Sequence, residues 1–336
     1  MRKLIIYILI LILISFLIPI LFTNKFGDSK QTFSKIENID NKNENSSNIN
    51  ESSYDYKKYN TVKVLHTKTG SVENLNLDEY LYGVVSAEMP ASFEKEALKA
   101  QSIVARTYTI YKIIHNAGKH QEADICDDSG CCQAWISKED RLNKWDEKER
   151  KSNWNKIVSA TKGKIITYNG EPINAFFHSN SGGSTEAPIN VWGGSGYPYL
   201  QTVQTSGEEA YTQYKSEVNM QKQELIDKIK SKYQDFSINF EEENAIQILE
   251  YTKGNRVKTI KIGNKNLSGV EVRSIFGLKS ANFGVKIDGD NIIFSVIGYG
   301  HGVGMSQTGA DSLAKQGKNC EEIITHFYIG VEIIDL

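Results

Sequence analysis

Apolar and polar positions divide the chain into four stretches of different character. Leu4–Phe22 is apolar at nearly every position, broken by Tyr7, Ser15 and Pro19. Nineteen residues at helical rise span about 28 Å, close to a bilayer's hydrocarbon core, so residues 1–22 are expected to form an N-terminal transmembrane anchor. A cleaved signal peptide would have a shorter apolar core followed by small residues, whereas this run ends in Leu21-Phe22-Thr23-Asn24-Lys25. Arg2 and Lys3 precede the run and Lys25 follows it, which leaves the bulk of the chain outside the cytoplasm. Residues 23–59 are rich in Asn, Ser, Lys and Glu and poor in aliphatics, the composition of a flexible linker.

Beyond residue 60 the pattern changes to that of a folded body. Thr61–His66 alternates as a strand, and Lys68-Thr69-Gly70 turns the chain. Asn76 then stands as an N-cap before a helix over Leu77–Glu88. Leu77, Leu81, Val84 and Val85 trace one helical face, and a further step of three places Glu88 on that stripe before Pro90 stops the helix. A second helix is expected over Phe93–Lys112. It turns Ala97, Ala100, Val104, Tyr108 and Tyr111 inward and Lys95, Lys99, Ser102, Arg106 and Thr109 to a polar face. Lys164–Tyr168 and Pro172–Phe177 read as a hairpin around Asn169-Gly170-Glu171. Composition shifts after Gln204. An amphipathic helix is expected over Glu217–Tyr233, with strands in Ile246–Ile262 and Val285–Val296. A helix over Met305–Lys315 and a last one opened by an Asn319/Glu322 capping box complete the chain. The predicted fold class is α+β, with helices and small antiparallel sheets in two lobes. Residues 60–205 and 291–336 form a catalytic lobe, and 206–290 a second lobe inserted in it.

Composition narrows the function classes. Net charge is -2 over 336 residues with Lys and Arg dispersed, which disfavours nucleic acid as a partner. A neutral polysaccharide fits, and a homodimer is compatible with the same pattern.

Four features carry candidate chemistry. Glu88 on an apolar stripe is either a frayed end pointing to water or a desolvated carboxyl with a raised pKa, as a glycosidase acid needs. Lys99 and Arg106 are its candidate partners or plain solvated face. His120, Cys126, Cys131 and Cys132 fall within 13 residues and can supply four tetrahedral zinc ligands, a closed and hence structural set. A disulfide from Cys126 to Cys131 or Cys132, or one using Cys320, is the alternative. Asp124, Asp127 and Asp128 crowd that loop. His178-Ser179-Asn180-Ser181-Gly182-Gly183 lacks a nucleophile elbow, and reads as a polar lining of a sugar groove or as a structural turn. Trp192-Gly193-Gly194 and Tyr197-Pro198-Tyr199 form an aromatic loop. Gly298–Gly304 lacks dinucleotide spacing. It instead suits close backbone approach, presenting His301 with Gln307 following. Substrate contacts are therefore expected from Arg106, Lys99, His178, Ser179, Ser181, Tyr199, His301 and Gln307.

Four stretches together resemble the stage II sporulation protein D family, the lytic transglycosylases of the engulfment machinery. They are Glu79–Pro90 (EYLYGVVSAEMP), Ala100–Tyr108 (AQSIVARTY), His178–Gly183 (HSNSGG) and Gly298–Gln307 (GYGHGVGMSQ). Leu267-Ser268-Gly269 to Phe283 and Phe327-Tyr328-Ile329-Gly330 also match that pattern. The resemblance implies that Glu88 is the catalytic acid for the MurNAc-β-1,4-GlcNAc bond of glycan strands stripped of stem peptides. A 1,6-anhydro-muramic product follows. It also implies partnership with the stage II sporulation proteins P and M, and a mother-cell membrane location facing the intermembrane space. Some clostridial members hold zinc through a similar His/Cys loop. They have His where this chain has Cys131. The readings that compete with this one are a non-catalytic glycan-binding module and a zinc-dependent cell-wall amidase.

Overall fold

The computed structural model describes residues 56–115, 119–120, 122–144 and 154–336. The expected anchor over 1–22 and most of the linker expected over 23–59 lie outside them. Among the described residues no helix is long and apolar enough to cross a membrane. The linker ends earlier than expected, because Tyr56–Tyr59 makes one 3-10 turn and Tyr59 packs into the first core.

β1 (Thr61–Leu65) pairs antiparallel with β2 (Val72–Asn76), the turn passing through Gly70 at φ 72°. Asn76 caps α1 (Leu77–Glu88) by accepting a 2.9 Å bond from the Asp78 amide. The second helix, α2 (Lys95–His115), starts two residues later than its pattern suggests, after a tight turn from Pro90 to Phe93. β3 (Ile125–Cys126) then runs parallel to β1, so the first sheet is mixed and not purely antiparallel. Two short helices follow, α3 (Lys138–Lys144) and α4 (Trp154–Ala160). β4 (Lys164–Tyr168) turns through Asn169 and Gly170, both at positive φ, into β5 (Glu171–Pro172). The strand expected over Pro172–Phe177 breaks after Pro172 and resumes as β6 (Phe177–His178). α5 (Pro188–Trp192) closes this half.

β7 (Lys215–Gln221) occupies the first part of the helix expected over Glu217–Tyr233, and only α6 (Lys222–Lys230) is helical. Val218 and Met220 alternate with exposed neighbours, and β7 pairs along its whole length with β12 (Asn291–Ile297), an alignment no local window contains. Between them run β8 (Ile246–Tyr251), β9 (Val257–Ile262), β10 (Lys265–Ser268), α7 (Gly269–Phe276) and β11 (Phe283–Asp288). The sheets β11-β12-β7 and β10-β9-β8 enclose a second core around Leu225, Ile260, Val272 and Phe294. The chain returns through β13 (Met305–Ser306), which pairs parallel with β6, then α8 (Gln307–Lys315) and α9 (Cys320–Phe327). The capping box of Asn319 and Glu322 forms as its spacing predicts. β14 (Glu332–Asp335) pairs with β4. The architecture is thus a mixed α/β body with small sheets.

The first core gathers on α2, whose Ala97, Ala100, Ile103 and Val104 are fully buried. Burial of Ile103 and Val104 contributes roughly 1.5–3 kcal/mol each, and each alanine methyl less. Part of the polar face is buried as well: Ser102, Arg106 and Thr109 have no exposure, whereas Lys95 is exposed and Lys99 half-buried. Each of the three buried residues finds a distant partner. Thr161 donates to Ser102, Gln133 donates to Thr109, and Arg106 donates to the Thr161 carbonyl and to Asp78. A polar residue on a helix thus predicts solvent only when no such partner reaches it.

Candidate active site

The last turn of α1 delivers Glu88 to the rim of a cleft of about 500 Å3. Its Oε1 accepts from the Ala134 amide at 2.7 Å and its Oε2 from Gln307 Nε2 at 3.0 Å. Burial pushes the Glu88 carboxyl above the ordinary range, and the bonds from Gln307 and Ala134 hold it back in part. The group is a half-buried, oriented acid and not a frayed end.

Both of its partners arrive by close backbone approach. Gly83 on α1 lets the segment after Gln133 cross the helix, because a Cβ there would stand 2.2 Å from Trp135 Nε1. Gly304 lies at φ 72°, and a Cβ on it would stand 1.9 Å from the Phe176 carbonyl oxygen. That contact seats β13 against β6 and starts α8 with Gln307 facing Glu88.

The opposite wall carries His178 and His301, ring centroids 5.6 Å apart. Nδ1 of His178 donates to the Val303 carbonyl at 3.1 Å, which fixes the tautomer and leaves Nε2 as a buried acceptor with no partner among the described residues. Burial, aided by the Arg256 guanidinium, lowers His178 to about 4. Burial also holds His301 well below its ordinary value, with His178 adding to the effect, and its Nδ1 accepts from the Val303 amide. Both rings are neutral near pH 7. Arg273, from the last turn of α7, also lines the cleft, and burial lowers its guanidinium from its ordinary value. Beside His301 stands Trp192, 51% exposed, at the edge of a neighbouring hollow of about 420 Å3 shared with Tyr197.

Beneath the cleft the His178-to-Gly183 loop is pinned from below. Glu208 is fully buried and accepts from Ser181, Ser306, Thr205 and Thr308. Burial alone would raise this carboxyl. The hydroxyl bonds, with a further one from the Ser181 amide, outweigh it and hold Glu208 down to about 2. Arg256, just before β9, donates to the Ser181, Ser184 and Gly254 carbonyls and ties the second core to the same loop.

Of the residues expected to contact substrate, the structure brings His178, Ser179, His301 and Gln307 to Glu88's cleft. The others lie elsewhere. Arg106 is locked in the core by backbone carbonyls and Asp78. Lys99 pairs with Glu96 at 2.6 Å away from the cleft. Ser181 points down to Glu208, and Tyr199 is buried with its hydroxyl accepting from the Asn174 amide. Glu88 is held by Gln307 and the Ala134 amide, neither of which was expected in that role, and Arg106, the expected partner, does not reach it. The sequence reading missed Ala134, Glu208, Arg256 and Arg273. The one signal for Arg273 was its place in the Leu267–Phe283 stretch.

His120, Cys126, Cys131 and Cys132 converge, all four ligand atoms lying within 4.8 Å of one another. His120 Nε2 lies 3.3 Å from Cys132 Sγ and 3.7 Å from Cys131 Sγ, and the two sulfurs are 3.9 Å apart. Tetrahedral zinc bonds of about 2.0–2.3 Å put neighbouring ligand atoms roughly 3.5–3.8 Å apart, so this donor set fits such an ion. No disulfide forms, and Cys320, half-buried at the start of α9, stands apart from the cluster. The loop acidic residues hold its shape. Asp124 and Asp127 accept amides from β1 and the segment after it, and Asp128 takes the Gly130 amide. The Cys132 end of this loop forms one wall of the cleft.

The family model described as Stage II sporulation protein matches residues 65–168. The chain is 36% identical to stage II sporulation protein D of Bacillus subtilis over 278 residues, covering 81% of this chain and 78% of that protein. It is 37% identical to the protein of the same name from Bacillus amyloliquefaciens, with the same coverage. The amidase enhancer of Bacillus subtilis is 30% identical over 301 residues, covering 75% of this chain and 40% of that protein.

Proposed function

The chain belongs to the stage II sporulation protein D family, and we propose that it is a lytic transglycosylase that cuts peptidoglycan glycan strands during sporulation. One observation supports this above the rest: among the described residues, Glu88 is the only carboxylate that lines the cleft. An ordinary glycosidase needs two carboxylates flanking the bond. A lytic transglycosylase needs one, because the substrate's own C6 hydroxyl replaces water as nucleophile.

Glu88 starts protonated, which its burial favours. It gives that proton to the glycosidic oxygen as the bond from muramic C1 breaks and the electron pair leaves with that oxygen. The carboxylate so formed is stabilised by the two donors already in place, Gln307 and the Ala134 amide. It then removes the C6 hydroxyl proton while O6 closes on C1, giving the 1,6-anhydro ring and restoring the acid. His178 Nε2 is a neutral acceptor suited to a sugar hydroxyl or N-acetyl amide, and Trp192 and Tyr197 offer apolar faces along the strand.

His120, Cys126, Cys131 and Cys132 are proposed to hold zinc. Four protein ligands leave no open position, so the ion would hold the cleft wall in shape. The proposed setting is the outer face of a membrane, tethered through residues 1–22, with stage II sporulation proteins P and M as partners.

The test is Glu88→Gln, which keeps the two hydrogen-bond positions and removes the proton. Release of soluble glycan should fall about 1,000-fold, the size expected for loss of an essential acid. Sedimentation with denuded glycan should persist. An active variant refutes the assignment.

A further inference from the structure

Arginines inside the folded body differ in how their guanidinium groups are used. Arg106 and Arg256 are buried and engaged: Nη1 and Nη2 of each donate to backbone carbonyls or, for Arg106, to Asp78. Arg273 is half-buried and anchored only through Nε, which donates to the Leu278 carbonyl at 3.3 Å. Its two Nη groups meet no acceptor among the described residues, and it enters no salt bridge there. A guanidinium taken partly out of water without a counter-charge weakens the fold, so its position calls for a ligand that supplies one.

The cleft defines that ligand's chemistry. Among the lining residues Arg273 is the one Lys or Arg, beside the neutral rings of His178 and His301 and the Glu88 carboxyl, whose burial opposes its charged form. Lys279 adds to it from the rim, its Nζ 4.4 Å from the Tyr299 ring centroid and bonded to the Tyr299 hydroxyl at 3.2 Å. The two Nη groups suit a planar two-oxygen anion. On a glycan strand of alternating glucosamine and muramic acid units, the fixed anion is the lactyl carboxylate of muramic acid. It is free only where the stem peptide has been removed, since the peptide ties it up as an amide.

We propose that Arg273 is the specificity-determining residue of this cleft, receiving the free muramic carboxylate and so making the protein select peptide-free strands. The inference rests on the cleft being a glycan site, as proposed above. It gives the second core a direct part in the reaction: α7, capped by the Ser268 side chain accepting from the Glu271 amide, carries Arg273 to the active site.

The test uses the full chain carrying Glu88→Gln, with and without Arg273→Gln, and measures binding instead of turnover. The probes are a denuded muramic-acid-containing tetrasaccharide, the same sugar with its carboxyls converted to methylamides, and chitotetraose, which has no carboxylate. With Arg273 present, the free acid should bind roughly tenfold or more tighter than the methylamide. With Arg273→Gln the two should bind alike, and chitotetraose affinity should be unchanged. Arg273→Lys should keep part of the preference, because it keeps the charge without the fork. The preference surviving in Arg273→Gln overturns the proposal, as does an equal loss for chitotetraose, which marks a merely structural role. The transglycosylase reading fails separately, if the wild-type chain yields no anhydro-muramic ends whatever these affinities are.

Discussion

Gln307 donates from Nε2 to Oε2 of Glu88 over 3.0 Å, although 219 positions separate the two in sequence. The bond favours the ionised carboxylate and opposes the rise that burial imposes. Removing it in Gln307→Ala should raise the Glu88 pKa further. Because the acid form starts the reaction, activity is lost as pH rises through that pKa. The alkaline limb of kcat/KM should therefore move to higher pH in the variant, while kcat falls by about 10- to 100-fold as the carboxyl loses its orientation. A pH–rate profile checks both. A limb that moves down contradicts this role for Gln307.

Glu208 lies below the cleft and titrates in the opposite sense. Its folded pKa of about 2 is below the ordinary carboxyl value of 4.5, so its contribution to stability is complete above the latter and is lost as pH falls through the former. Glu208→Ala should cost about 3 kcal/mol at pH 7, and the gap from wild type should close towards pH 2. Urea unfolding at several pH values measures it. A constant gap would mean that the four hydroxyl partners do not favour the ionised form.

The His/Cys cluster predicts a thermal signature. Stripping the metal with a strong chelator should lower Tm by roughly 5 °C or more, with zinc restoring it. Cys126→Ser should start at the lowered Tm and respond little to chelator, because Cys126 is the buried member of the set. Loss of cleavage with an unmoved Tm would contradict a scaffold role.

Local signals were legible where a short window contains the physics. The stripe Leu77, Leu81, Val84, Val85 with Asn76 before it and Pro90 after it defines α1 and points to Glu88. The Asn169-Gly170 turn, the Asn319 capping box and the His120, Cys126, Cys131 and Cys132 cluster are equally local. The family resemblance added an expected role for Glu88, which spacing alone left open. What was not legible depends on distant partners. Arg106 on α2 looks solvated until Asp78 and the Thr161 carbonyl close on it. β7 looks helical until β12 pairs with it. Glu208 and Arg273 are ordinary charged residues in sequence, and only the packing of the second core and the His178 loop gives them their positions.

Product mass tests the central claim most directly. Purified denuded glycan is digested with the wild-type chain and the fragments are weighed by mass spectrometry. The account predicts muramic ends lighter by one water than a reducing end, none of them carrying oxygen from isotopically labelled solvent, and no such fragments from Glu88→Gln. Fragments with reducing ends that take up solvent oxygen, or released peptides, would contradict it.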